Sequence, residues 1–110
     1  MAVEITFHPQ ARGDMMNLGS APLKLEATKF LLQLERAPLF GEKLGEHAKV
    51  GDLSDCRKIY FDKARHRIVY RVLPNEKKPE VVEVSVIGAR AELEVYTEAI
   101  RRLGRLVDED

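Results

Sequence analysis

Hydrophobic and polar residues alternate from Val3 to Phe7, with Val3, Ile5 and Phe7 set against Glu4 and Thr6. This period of two predicts a short opening strand. Pro9 suits the first turn of a helix, which runs to about Leu18 and closes at Gly19. Ser20 supplies an N-cap for a longer helix, in which Leu23, Ala27, Phe30, Leu31 and Leu34 fall at helical spacing until Pro38 ends it. The short join makes the two a helical hairpin. From Phe40 to Asp55 the periodicity disappears, and Gly41, Gly45 and Gly51 among charges read as a loop with one helical turn.

Three strands follow. Arg57 to Phe61 places Ile59 and Phe61 on one side and Lys58 and Tyr60 on the other. Arg67 to Leu73 places Ile68, Tyr70 and Val72 opposite Arg67, Val69, Arg71 and Leu73. Val81 to Ile87 is largely β-branched, as expected of a central strand covered on both faces. The joins at 62–66 and 74–79 are hairpin length, so these strands form an antiparallel meander. A last helix from about Ala91 to Leu103 carries Leu93, Tyr96, Ile100 and Leu103 on one side. The order β-α-α-β-β-β-α predicts an α+β domain, its helices against one face of a mainly antiparallel four-stranded sheet.

Composition narrows the class. The 110 residues fit one domain, with residues from about 105 to 110 as a frayed acidic tail. Lys plus Arg equals Asp plus Glu at 18 each, which argues against nucleic-acid binding by bulk charge alone. A single cysteine, Cys56, excludes an internal disulfide and a Cys-rich zinc site. No apolar run reaches the roughly 18 residues of a membrane span, and the start lacks the order of a signal peptide. A soluble, cytoplasmic domain without membrane contact is expected.

The zero net charge hides an asymmetry that does bear on chemistry. Between Arg57 and Arg71 stand six basic residues (Arg57, Lys58, Lys63, Arg65, Arg67, Arg71) against the single acid Asp62, and Arg90 follows the third strand. Two strands joined by a hairpin let several of these converge, and Arg and Lys together suit a phosphate-rich ligand. A plainly solvated sheet face is the alternative. Tyr60 and Tyr96 lie among the charges and suit stacking on bases. No phosphate-binding loop occurs, and His8, His47 and His66 lack metal-ligand spacing. His66 reads as a turn residue, Cys56 as packing and Ser54 as a turn or cap. No metal or other cofactor is expected, and catalysis here would be electrostatic.

Asp55-Cys-Arg-Lys-Ile-Tyr-Phe, Arg67-Ile-Val-Tyr-Arg-Val, Val84-Ser-Val-Ile-Gly-Ala-Arg90 and Glu94-Val-Tyr96-Thr-Glu-Ala-Ile-Arg-Arg-Leu103 come in one order and spacing. Together they resemble the RelE toxins of bacterial type II toxin–antitoxin systems, and the opening strand and Leu18-Gly19-Ser20 extend the resemblance over nearly the whole chain. It implies a RelE-like, microbial-ribonuclease-like fold and an mRNA endonuclease acting in the ribosomal A site. The ribose 2′-hydroxyl would attack the adjacent phosphodiester, leaving a 2′,3′-cyclic phosphate and a 5′-hydroxyl. By position, Lys58 matches a lysine supporting the nucleophile, Arg67 and Arg90 match arginines on the scissile phosphate, and Tyr96 matches a tyrosine that orients or stacks on the substrate. Tyr60, Arg57 and Arg71 are the expected substrate-binding neighbours. Crowding by Arg57 and Arg67 would lower the Lys58 pKa and open a neutral-lysine base.

This sequence departs from the family pattern in three places. Tyr60 stands at a second lysine, and Ala89 and Glu92 stand at basic positions. Glu92, His47 or His66 are candidates to compensate. Two alternatives stay open: a ParE-like toxin that inhibits DNA gyrase by binding, and a degenerate toxin that only binds its antitoxin. All three readings imply a RelB-like antitoxin encoded adjacently, in a hetero-oligomer, docking on the basic face and the apolar side of the last helix. The nuclease reading adds the ribosome and mRNA as partners.

Overall fold

The computed structural model describes residues 2–47, 51–89 and 92–105 of the chain, with the side chains of 45–47, Glu92 and Leu93 left aside. Its elements are β1 (Glu4–Phe7), α1 (Pro9–Met16), α2 (Ala21–Arg36), β2 (Glu42–His47), β3 (Gly51–Phe61), β4 (His66–Asn75), β5 (Lys78–Gly88) and α3 (Glu92–Arg102). They form one five-stranded sheet in the order β1-β5-β4-β3-β2. β1 runs parallel to β5, and every other neighbouring pair is antiparallel. The helical hairpin makes the crossover that a parallel β1–β5 pair requires. No helix among the described residues is long and apolar enough to cross a membrane.

Local signals explain the helix ends. The His8 side chain accepts from Gln10 N–H and caps α1, and Ser20 Oγ accepts from Leu23 N–H at 3.3 Å to cap α2. Gly19 between them has φ +89°, a conformation that costs glycine little. Ala27, Leu31 and Leu34 of α2 are buried against Ile59, Phe61, Ile68, Tyr70, Val72, Val82 and Val84 of the sheet.

Two expectations are corrected. The stretch expected to be a loop contains β2, and β3 begins at Gly51 rather than at Arg57, so the sheet has five strands and not four. The helices also do not share one face. α1 and α2 cover one side, while Val95, Tyr96, Ala99 and Ile100 of α3 pack on Leu53, Cys56, Val69 and Val86 on the other. A bulge adds Val86 to this second face. Val69 pairs with Val86 but Tyr70 pairs with Val84, so the extra residue Ser85 turns Val86 away from Val82 and Val84 and toward α3. The apolar side of α3 is therefore core: Tyr96 and Ile100 are fully buried and do not form an antitoxin-docking surface.

Arginine–carboxylate pairs tie α3 down. Arg102 grips Asp14 of α1 with two guanidinium nitrogens, holds Glu98 through Nε at 2.8 Å, and donates to the Ser85 carbonyl at 2.9 Å. Asp14 in turn accepts from the Ile87 N–H at 3.0 Å. Backbone groups freed by the bulge are thus satisfied from two helices. Arg105 forms a two-pronged pair with Asp55 at 2.7 and 2.6 Å, so it belongs to the fold and not to a frayed tail. Residues 106–110 lie outside the described residues.

Gly41, just before β2, is a close-approach position. A Cβ there would lie 2.7 Å from the Lys58 carbonyl oxygen and 2.8 Å from the Tyr70 hydroxyl. Gly41→Ala is expected to destabilise the domain by about 1–3 kcal/mol, because both obstacles are held by the sheet. A denaturant midpoint equal to the parent's would show that this approach is not tight.

Candidate functional site

The period of two in β3 sends Cys56, Lys58 and Tyr60 to the α3 side of the sheet, and β4 sends Arg67, Val69 and Arg71 to the same side. Register does the rest. Tyr60 lies opposite Arg67, and Lys58 lies opposite Val69. α3 then lays Tyr96 across the same region.

The side chains meet closely. Lys58 Nζ donates to the Tyr60 hydroxyl at 2.7 Å and sits 4.7 Å from the centre of the Tyr60 ring. It also lies 5.9 Å from the centre of the Tyr96 ring. The Arg67 guanidinium covers the Tyr60 ring at 5.0 Å. Two cations and two phenols therefore share one patch close to the turn of the β3–β4 hairpin, and cation–π attraction orders them before any ligand arrives. Lys58, Tyr60 and Arg67 are partly exposed, whereas Tyr96 has no exposed surface. A covered ring offers no face to a base, and Tyr96 lies beneath Lys58 rather than open to a ligand.

The electrostatics reverse one expectation. Burial works against the Lys58 ammonium, but its contacts with Tyr60 and Tyr96 outweigh that, and its pKa lies above the usual lysine value. Lys58 is a cation at neutral pH, and the neutral-lysine base is not supported. Tyr60 moves the other way. The hydrogen bond from Lys58 holds its phenol below the ordinary tyrosine value; burial opposes this, and Arg67 adds to it.

Arg57 and Arg71 are not brought to this patch. Arg57 points to the opposite face, where it forms a two-pronged pair with Glu76 at 2.9 and 3.0 Å. Its remaining nitrogen donates to the carbonyls of Leu39 and Gly41. With its donors committed, it fastens the loop before β2 and is not a substrate ligand. Arg71 shares the face of Arg67 but stands four residues further along β4, roughly 13 Å away, and pairs with Glu83 at 2.8 Å. Arg90 lies outside the described residues, as do the side chains of His47 and Glu92. His66 takes the α2 face, 3.0 Å from Asp62 and with its ring centre 5.2 Å from that of Phe61, so it cannot stand in as a base beside Lys58. Cys56 is fully buried, and burial pushes its thiol up to about 12, which makes it an inert packing residue.

One functional element escaped the sequence reading. Tyr70, buried on the α2 side, donates from its hydroxyl to the Pro38 carbonyl at 2.8 Å and accepts from Gly41 N–H at 2.9 Å. Together with Arg57 it fixes the Pro38–Gly41 loop against β3 beside Lys58. A buried tyrosine in a strand signals an unknown hydroxyl partner but does not name it.

No protein-family model matches the chain. It is 32% identical over 103 residues to the mRNA interferase toxin RelE of Escherichia coli K12, covering 94% of this chain and 99% of that protein. The mRNA interferase RelE of Shigella flexneri matches to the same extent. Among solved structures, a doubly substituted mutant of the E. coli toxin RelE in the free state superposes with a TM-score of 0.70 at 29% identity, over 94% of this chain and 99% of that one. The same toxin mutant bound to an antitoxin RelBc peptide gives a TM-score of 0.59 at 30% identity, over 90% and 95% of the two chains.

Proposed function

Because the chain belongs to the RelE toxin family, we propose that it is the toxin of a type II toxin–antitoxin pair and an endoribonuclease that cuts mRNA in the ribosomal A site. The observation that carries this reading is the convergence of Lys58, Tyr60 and Arg67 on one patch, backed by the buried Tyr96.

The chemistry suits that patch. The ribose 2′-oxygen attacks the adjacent phosphorus, the bond to the 5′-oxygen breaks, and a 2′,3′-cyclic phosphate and a 5′-hydroxyl remain. Negative charge grows on the phosphorane oxygens, and cations already in place lower that barrier without reorganising. Lys58 serves as a fixed ammonium, held by Tyr60 and Tyr96. Arg67 presents its guanidinium fork to the phosphate. Arg90 is assigned the same role from its position in the sequence. The partner is a RelB-like antitoxin whose acidic and apolar segment covers the basic patch.

Mapping 5′ ends of cellular mRNA after induction tests the reading. New 5′-hydroxyl ends are expected within coding regions, in phase with codons, and they should vanish when translation is blocked beforehand. Growth arrest without new ends would overturn it, and that is the outcome a gyrase-binding toxin gives.

A further inference from the structure

Breaking the bond to the 5′-oxygen builds an alkoxide, and the step is easier where a neighbouring group delivers a proton to that oxygen. Among the described residues, Lys58, Tyr60 and Arg67 are the partly exposed side chains of the patch that bear a proton at neutral pH. Arginine keeps its protons throughout the working range. Burial works against the Lys58 ammonium, yet its contacts with Tyr60 and Tyr96 raise its pKa, so it holds its proton more firmly than a free lysine. Tyr60 is the opposite case. The hydrogen bond from Lys58 lowers its phenol, against burial and with help from Arg67. The geometry says where that proton can go. Lys58 Nζ donates to the Tyr60 hydroxyl at 2.7 Å, and the Arg67 guanidinium lies 5.0 Å from the centre of the ring. Neither cation has a lone pair with which to accept a hydrogen bond. The phenol therefore receives from Lys58 and cannot hand its own proton back to either neighbour. Tyr60 also lies opposite Arg67 in the β3–β4 register, so its hydroxyl and the guanidinium share one side of the sheet.

We propose that Tyr60 is the general acid of the reaction, giving its hydroxyl proton to the 5′-oxygen as the bond from phosphorus to that oxygen breaks; this rests on the endonuclease reading and deepens it. The electron pair of the broken bond goes to the 5′-oxygen, which takes the Tyr60 proton and leaves as the 5′-hydroxyl. Tyr60 becomes a phenolate, and the Lys58 ammonium is already donating to the oxygen that gains the charge, so nothing has to reorganise. The attacking 2′-hydroxyl releases its proton to water, and Tyr60 regains one from water once the product has left. The opposite role, taking the 2′-hydroxyl proton, needs a phenolate before the reaction starts. A phenol titrates ordinarily at about 10 and carries its proton at neutral pH, which favours the acid.

Single-turnover cleavage is measured on ribosomes programmed with a defined message in the A site, using the wild-type toxin and Tyr60→Phe. This variant keeps the ring under Arg67 and removes only the hydroxyl. A second message carries sulfur in place of the 5′-oxygen at the scissile bond, and a thiolate leaves without needing a proton. Rates are taken per folded molecule, from a thermal melt of each protein. On the ordinary message Tyr60→Phe should cut about 10²-fold more slowly than wild type or worse. On the sulfur message the two proteins should agree within a few-fold. Equal losses on both messages would overturn the proposal, because the hydroxyl would then only hold Lys58 or accept the 2′-hydroxyl proton. Wild-type cleavage of the ordinary message by Tyr60→Phe would overturn it as well. Wild-type toxin that leaves the ordinary message intact would overturn the endonuclease reading itself, a result separate from all of these.

Discussion

Arg67→Ala is expected to lower the rate of message cleavage by about 10²–10³-fold while leaving the fold in place. The guanidinium lies over the Tyr60 ring at 5.0 Å and reaches the patch from β4, opposite Tyr60. It can follow the charge as it moves onto the phosphorane oxygens, whereas the ground-state phosphodiester carries only one charge. The loss should therefore fall on kcat as well as on kcat/KM. Arg67→Lys keeps the charge but not the fork and should recover only part of the rate. The stability cost is small, because the side chain is partly exposed and on the sheet surface. Single-turnover cleavage beside a thermal melt checks both halves. A folded Arg67→Ala protein that cuts at the wild-type rate would remove Arg67 from the site.

The largest stability effect is expected at Asp14, far from the patch. Asp14→Ala removes the carboxylate that holds two nitrogens of Arg102 and the Ile87 N–H. The Arg102 side chain is only 9% exposed, so its charge would be left inside the protein with Glu98 and one carbonyl. Breaking such a pair costs about 3 kcal/mol, which for a domain of this length is roughly 10–20 °C in thermal midpoint. Asp14→Asn keeps an acceptor for Ile87 and should lose less. Glu98→Ala should lose less again, since Asp14 still neutralises the guanidinium. An Asp14→Ala midpoint within a few degrees of the parent would show that Arg102 is satisfied without it.

What the sequence revealed follows from which interactions are local. The alternation in 57–61 and 67–73 gave the faces of Lys58, Tyr60 and Arg67 directly, because a strand alternates strictly and the hairpin between them is short. β2 was invisible for the opposite reason. Glu-Lys-Leu-Gly-Glu-His carries one large apolar residue, and its register slips between Lys43 and Gly45. An edge strand of that kind is held by backbone pairing, which leaves no pattern to read. The face of α3 was missed because a helix's apolar stripe says that it packs, not on which side, and the Ser85 bulge that turns Val86 to that side carries no sequence mark. Counting charge overstated the patch. Arg57 was already on the wrong face by its parity, but its partner Glu76 is 19 positions away and only the fold could name it.

The clasp between Asp14 and Arg102 joins residues 88 positions apart, and so encloses most of the domain. Closing so wide a loop is entropically costly and comes late, after the β3–β4 and β4–β5 hairpins have formed from nearer neighbours. In a chain still being made, Lys58, Tyr60 and Arg67 leave the ribosome well before Arg102 does. Until Arg102 arrives, the Asp14 carboxylate has the Ile87 N–H but not the guanidinium, and the Ser85 carbonyl lacks its Arg102 donor. The contacts that pin α3 across the sheet are thus completed by one of the last described residues of the chain, long after the strands they cover have been made.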